Sequence, residues 1–182
     1  RAEGHDVGLY QAYSLARVAF PEPRPHPSAL VESGPMASVP PPAPSYRPRL
    51  PEAVRADGRL SDAQTETAVY AGEAHGALLP SWWTLGEAAH DVLLAEEDQP
   101  GAVRFRRGFF LGDGTGCGKG RQIAACILDN WLAGRRRSIW ISKNEALLED
   151  ARRDWTALGG MSADVQPLSA WKIDEDVKLD SG

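Results

Sequence analysis

Gly108-Phe109-Phe110-Leu111-Gly112-Asp113-Gly114-Thr115-Gly116-Cys117-Gly118-Lys119-Gly120-Arg121 is the stretch on which the fold turns. An apolar strand end runs into a loop with glycine at every second position, and a lysine stands directly after the last of these glycines. Glycines let backbone N–H groups approach anionic oxygens with no side chain in the way. A helix N-terminus behind them adds partial positive charge, and a lysine at this point reaches outer phosphates. A merely tight strand-to-helix turn leaves Lys119 without a reason. Gly112, Asp113, Gly114, Thr115, Gly116, Cys117, Gly118 and Lys119 are therefore the expected cradle for a nucleoside triphosphate, with Gly120 and Arg121 continuing it. Two positions depart from the common pattern. Asp113 stands where glycine is usual, and Gly120 stands where Ser or Thr normally offers a hydroxyl to Mg²⁺. The second departure leaves the ion one ligand short, to be supplied by water or, less readily, by Thr115.

Outward from the loop the pattern predicts alternating elements. Val103 to Leu111 reads as a strand, and 119–133 as a helix with Ile123, Ile127, Leu128 and Trp131 as its buried stripe and Gly134 as its stop. Ser138 to Ser142 reads as a short buried strand. Asn144 can cap a helix whose apolar face is Leu147, Leu148, Ala151, Trp155 and Leu158, and Val165 to Leu168 reads as a third strand. Strand–helix–strand–helix–strand predicts an α/β fold with a parallel sheet and right-handed crossovers.

Upstream, Ser61 is a good N-cap for a helix with Ala63, Thr67, Tyr70, Ala71, Ala74 and Leu78 on one face, ending near Gly76 or Pro80. Trp82 and Trp83 read as packing residues, and Leu85 to Leu94 as a further helix. Eleven of the fourteen prolines fall between Pro21 and Pro51, which forbids helix and central strand there. That segment is an extended arm, either a solvated linker or a strap across the next domain. The expected division is a short helix or tail over 1–20, the arm over 21–59 and the phosphate-loop lobe over 60–182.

Composition excludes less than it first suggests. The 182 residues carry a net charge of −5, which argues against a polyanion partner. Residues 101–160 nevertheless hold eleven Lys/Arg against six Asp/Glu, and the acidic excess belongs to the rest. No apolar run approaches the roughly 18–20 residues of a membrane span, so no membrane is expected. Two cysteines and four histidines show neither disulfide nor metal spacing. A reducing cytoplasm is the expected compartment. The chain opens on Arg1 with no signal pattern, as expected of a piece of a longer protein.

Gly-Phe-Phe-Leu-Gly-Asp-Gly-Thr-Gly-Cys-Gly-Lys-Gly-Arg, with Ile139-Trp140-Ile141-Ser142-Lys143 and Leu147-Leu148-Glu149-Asp150-Ala151-Arg152-Arg153-Asp154-Trp155, resembles the strawberry notch family, in its bacterial form. These are helicase-like ATPases of superfamily 2. The likeness extends upstream through His26-Pro27, Val31-Glu32 and Leu60-Ser61-Asp62-Ala63-Gln64, roughly residues 26–160. It implies a partial RecA-like lobe, ATP and Mg²⁺ as cofactors, and a DNA or RNA partner. It also implies that Gln64 reads the adenine edge, although Ser61 and Gln64 equally spell a capping box. Ser142, Lys143 and Asn144 would touch a nucleic-acid backbone; a plain helix cap is the simpler account. Arg135-Arg136-Arg137 reads first as cations past a helix end, and Asp150, Arg152, Arg153 and Asp154 read as a charged face opposite Leu147, Ala151 and Trp155.

A complete motor of this kind needs an apolar strand ending in Asp-Glu and a second lobe with arginines. Asp174-Glu175-Asp176 follows no buried strand and reads as a solvated charge run. The chain is expected to stop short of that acidic motif, to bind ATP weakly and not to turn it over alone. Two rivals stand beside a helicase-like ATPase: a non-motor scaffold with a relic phosphate loop, and a small-molecule kinase, which the upstream glutamine helix fits poorly.

Overall fold

The computed structural model describes residues 9–88 and 91–170. In chain order these form β1 (Tyr10–Ala12), β2 (Val31–Ser33), α1 (Gly34–Ala37), α2 (Glu52–Ala56) and α3 (Asp62–Gly76). There follow β3 (Leu78–Leu85), β4 (Val92–Ala95), β5 (Val103–Arg106), α4 (Lys119–Leu132) and α5 (Leu148–Ala157). The architecture is mixed α/β.

Three helices make the centre. Val54, Leu60, Ala68, Ala124, Ala125, Trp155 and Leu158 form one buried cluster, with Leu50, Ile127, Leu128, Trp140 and Val165 packed against it. The α3–α4 contact is built on small residues, so the helix axes can come close. The buried face of α4 is Gln122, Ala124, Ala125 and Asp129, whereas Ile123 of the expected apolar stripe is exposed. Polar groups can sit on that face because each has a partner from elsewhere in the chain. Thr67 Oγ1 of α3 donates to Gln122 Oε1 at 2.6 Å, and Tyr46 OH donates to Asp129 Oδ2 at 2.5 Å.

The segment expected to be one extended arm instead holds β2, α1 and α2, with Pro35 in the first turn of α1, where a missing N–H costs nothing. Between α1 and α2, residues 40–50 enter no helix or strand and lie against α3 and α4. Glu73 on α3 accepts from the backbone N–H groups of Ser45 and Tyr46 at 2.9 and 2.6 Å, and Arg49 N donates to Asp129 Oδ1 at 2.6 Å. A Cβ at Gly72 would collide with the Tyr46 ring, so glycine lets the aromatic ring lie on α3. Further upstream, Arg24 and Asp62 exchange bonds: Arg24 N donates to Asp62 Oδ2 at 2.7 Å, and Asp62 N to Arg24 O at 2.8 Å.

The sheets correct the sequence reading. In place of a short helix near the start, Tyr10–Ala12 pairs antiparallel with Val31–Ser33. In place of a helix over Leu85 to Leu94, β3 is the centre of an antiparallel three-stranded sheet in the order β4-β3-β5. The connection from β3 to β4 is short, as an antiparallel pair allows and a parallel pair, which needs a crossover of about a dozen residues, does not. β5 then pairs antiparallel on the other edge of β3. Pro80 sits in this central strand because the β3–β5 register shifts between Leu78 and Trp82, the kind of irregularity that tolerates proline.

No parallel ladder occurs among the described residues. Of the expected strand Val103–Leu111, only Val103–Arg106 enters a sheet. Residues 138–142 enter no strand, with Ile139 and Ile141 88% and 89% exposed. In place of a third strand at 165–168, short 3-10 turns occupy Ser162–Asp164 and Leu168–Ala170. Of the expected apolar stripe on α4, Ile127 and Leu128 pack against the buried cluster and Trp131 lies against Trp155 of α5. Asp174, Glu175 and Asp176 lie outside the described residues.

Candidate functional site

The glycine loop lies between β5 and α4, and its residues 112–116 are exposed. Lys119 opens α4, and its ammonium donates to the carbonyls of Asp113 and Gly114 at 3.0 and 2.7 Å. Its charged end is thus held over the loop that precedes it. Gly118 caps the helix in the left-handed region, with φ of 73°. A Cβ there would also strike Gln64 Nε2, so glycine is required twice over, for conformation and for space.

Two glutamines hold the loop from behind. Gln64 completes a capping box: its N–H donates to Ser61 Oγ at 3.3 Å, and its Oε1 accepts from Ser61 N at 3.0 Å. Its Nε2 then reaches the Cys117 carbonyl at 3.2 Å. Gln122, only 1% exposed, donates to the same carbonyl at 3.0 Å and to Asp113 Oδ2 at 2.9 Å. This explains the aspartate at 113, whose carboxylate ties the front of the loop to the first turn of α4. Sequence reasoning misses Gln122. Its one signal is a polar residue one helical turn beyond Lys119.

Beside the loop is a cavity of about 400 Å³. Gln64, Gly116, Gly118 and Arg121 line it, together with the arm segment Arg24–Ser28 and Asp154 of α5. The structure therefore brings part of the expected site together around one space. Gly112, Asp113, Gly114, Thr115, Cys117, Lys119 and Gly120 build the loop next to that space. Arg121 is held on both sides, donating to Arg59 O at 2.9 Å and facing Asp154 Oδ1 at 3.4 Å.

Gly120 leaves room for something else. A Cβ built there would collide with Asp154 Oδ2, so a carboxylate from α5 fills the space beside the position where a Ser or Thr is usual. The donor set near the loop thus includes a hard oxygen anion, of the kind Mg²⁺ takes. Ser142, Lys143 and Asn144 are exposed and do not line the cavity. Asn144 precedes a 3-10 turn over Glu145–Leu147 without a side-chain capping bond. No group of three or more metal-type side chains occurs among the described residues, and no described helix is long and apolar enough to cross a membrane.

Behind α3 a second polar contact secures the N-terminal segment. Glu66 is buried and accepts from Tyr13 OH and from Ala16 N, the latter at 3.2 Å. Burial raises its carboxyl above the ordinary glutamate range, against the lowering effect of those two bonds. Burial likewise pushes the Cys126 thiol up to about 11, so it stays protonated and inert.

The family model for P-loop containing NTP hydrolase pore-1 matches residues 25–182. The chain is 38% identical over 145 residues to Protein FORGETTER 1 of Arabidopsis thaliana, covering 80% of this chain and 10% of that protein. It is 36% identical over 147 residues to Protein strawberry notch of Drosophila melanogaster, covering 81% and 8%. With Protein strawberry notch homolog 1 of Homo sapiens it shares 35% over 147 residues, covering 81% and 9%. The chain thus spans no more than 10% of the length of these relatives. No solved structure matches it.

Proposed function

The chain belongs to the P-loop containing NTP hydrolase pore-1 family, among the strawberry notch homologues, and from this we propose that it is the ATP-binding part of a helicase-like ATPase. The observation that carries the reading is the hydrogen bond from Gln64 Nε2 to the Cys117 carbonyl. It joins a glutamine-bearing helix to the phosphate loop at the edge of one cavity. Phosphates would lie on the N–H groups of Gly112 to Gly118, with Lys119 exchanging loop carbonyls for phosphate oxygens. The base would lie in the cavity beside Gln64. That amide uses one lone pair on Ser61 N and one hydrogen on Cys117 O, so one donor and one acceptor are left. Such a pair matches the amino and ring nitrogens of adenine's edge. Mg²⁺ bound with ATP would neutralise charge on the outer phosphates.

In the intact protein, hydrolysis would be coupled to movement along, or remodelling of, DNA or RNA. Ser142, Lys143 and Asn144, exposed on the segment before α5, are the residues proposed for backbone contact. Lys119→Ala in the intact protein tests the reading: loss of ATP binding and turnover is expected, and undiminished turnover would remove the assignment. Gln64→Ala should narrow the preference for ATP over GTP; unchanged discrimination would leave Gln64 as a cap and loop tether. A non-motor nucleotide-binding scaffold is favoured by one observation, the missing hydroxyl at Gly120. Steady-state ATP turnover by the intact protein separates the two.

A further inference from the structure

Asp154 is unusual among the charged residues around the loop. It is 8% exposed, and burying a carboxylate is costly unless it is well paired. Its pairs are long. Oδ1 faces Arg121 Nε at 3.4 Å, and Oδ2 faces the exposed Arg153 at 3.5 Å, against about 2.7–2.9 Å for a good charge-assisted bond. A carboxylate offers about four acceptor sites, and these contacts do not saturate them. Oδ2 is the atom with which a Cβ at Gly120 would collide. Gly120 is the second residue of α4, where a phosphate loop ordinarily presents the hydroxyl that meets Mg²⁺. One deviation therefore accounts for the other: the side chain missing from α4 is replaced, in the same space, by an oxygen from α5.

We propose that Asp154 is the oxygen donor to the coordination shell of nucleotide-bound Mg²⁺ that Gly120 lacks, and that residue 120 is glycine to admit this carboxylate. Mg²⁺ is commonly held by one or two carboxylates together with substrate phosphates and water, so the donor suits the ion. The inference rests on the ATP reading above. It has a signature that a neutral hydroxyl would not give. Without Mg²⁺ an anion beside the triphosphate repels it; with Mg²⁺ it binds the complex. Asp154 should therefore make ATP binding more dependent on the ion than the loop alone would.

The test is ATP affinity of the intact protein, by fluorescent-ATP titration with Mg²⁺ and again with EDTA. In Asp154→Asn, the tightening produced by Mg²⁺ should shrink about tenfold or more, with affinity in EDTA equal to or stronger than that of the unsubstituted protein. Asp154→Glu, which keeps the charge, should retain most of the Mg²⁺ effect. G120S/D154A, which moves the oxygen back to α4, should recover it. Equal loss with and without Mg²⁺ in Asp154→Asn would overturn the inference, making Asp154 only the partner that positions Arg121. So would no loss at all, or a G120S/D154A protein that melts normally yet regains nothing. Failure of the unsubstituted protein to bind ATP under either condition would instead refute the ATP reading.

Discussion

Gln64 and Gln122, carried by different helices, donate to the same acceptor, the Cys117 carbonyl, at 3.2 and 3.0 Å. The phosphate loop is thereby clamped from the helix before it and the helix it opens. Gln64→Ala and Gln122→Ala should each cost about 1 kcal/mol. The double variant should cost more than their sum, because only then is the carbonyl bare, with a coupling of about 0.5–3 kcal/mol. Urea unfolding of the four proteins measures it. Strict additivity would mean that the two bonds do not share the load.

Tyr46→Phe removes the hydroxyl that serves Asp129, a carboxylate 2% exposed. Arg49 N remains as its partner. The expected cost is about 1–3 kcal/mol, that of a buried acceptor losing a bond, with faster proteolysis in the 40–50 segment. Unchanged melting and cleavage would show that the strap is not held through this contact.

Gly72→Ala places a methyl group against the Tyr46 ring. Overpacking of this kind costs about 1–3 kcal/mol. The same substitution in a Tyr46→Ala background should be close to neutral, since the obstacle is gone. Thermal unfolding of both pairs tests it, and an equal cost in the two backgrounds would contradict the contact.

Glu66 should shape the pH dependence of stability. Burial is the largest influence on its carboxyl and raises it, so the folded state holds the proton to a higher pH than the unfolded state. Between those two values the unfolded chain binds fewer protons, and stability falls as pH rises. Glu66→Gln removes this slope. Its melting temperature relative to the unsubstituted protein should increase from the ordinary glutamate range upward; a difference constant over that range would count against the assignment.

The helices and the loop are legible in the sequence because their signals are local. Ser61 and Gln64 spell the start of α3, Lys119 that of α4, and the periodicity of Ala151, Trp155 and Leu158 marks α5. The buried face of α4 is not legible, since hydrophobic periodicity assumes that burial is apolar. The buried Gln122 and Asp129 have partners 55 and 83 residues away, Thr67 and Tyr46, which no window around α4 contains, beside the nearer Asp113 and Cys117 contacts of Gln122. The antiparallel sheet is hidden for a related reason. Pro80 reads as a stop for the helix before it until the irregular register beside it is known, and the apolar run after it suits helix and strand alike. Around the cavity, the sequence points to the loop, Gln64 and Arg121 as site residues. Asp154 reads there as part of a charged face, because its neighbour at Gly120 lies on another helix.

Asp129 sets where this domain can begin. A chain trimmed to start at Leu60 would keep the phosphate loop, Gln64, Gln122 and all three central helices. It would also carry an anion in the heart of its helical layer with both strap partners deleted, the Tyr46 hydroxyl and the Arg49 amide. The unit that evolution can move between proteins, and that an experimenter can isolate, is therefore bounded by the prolines rather than by the nucleotide motif.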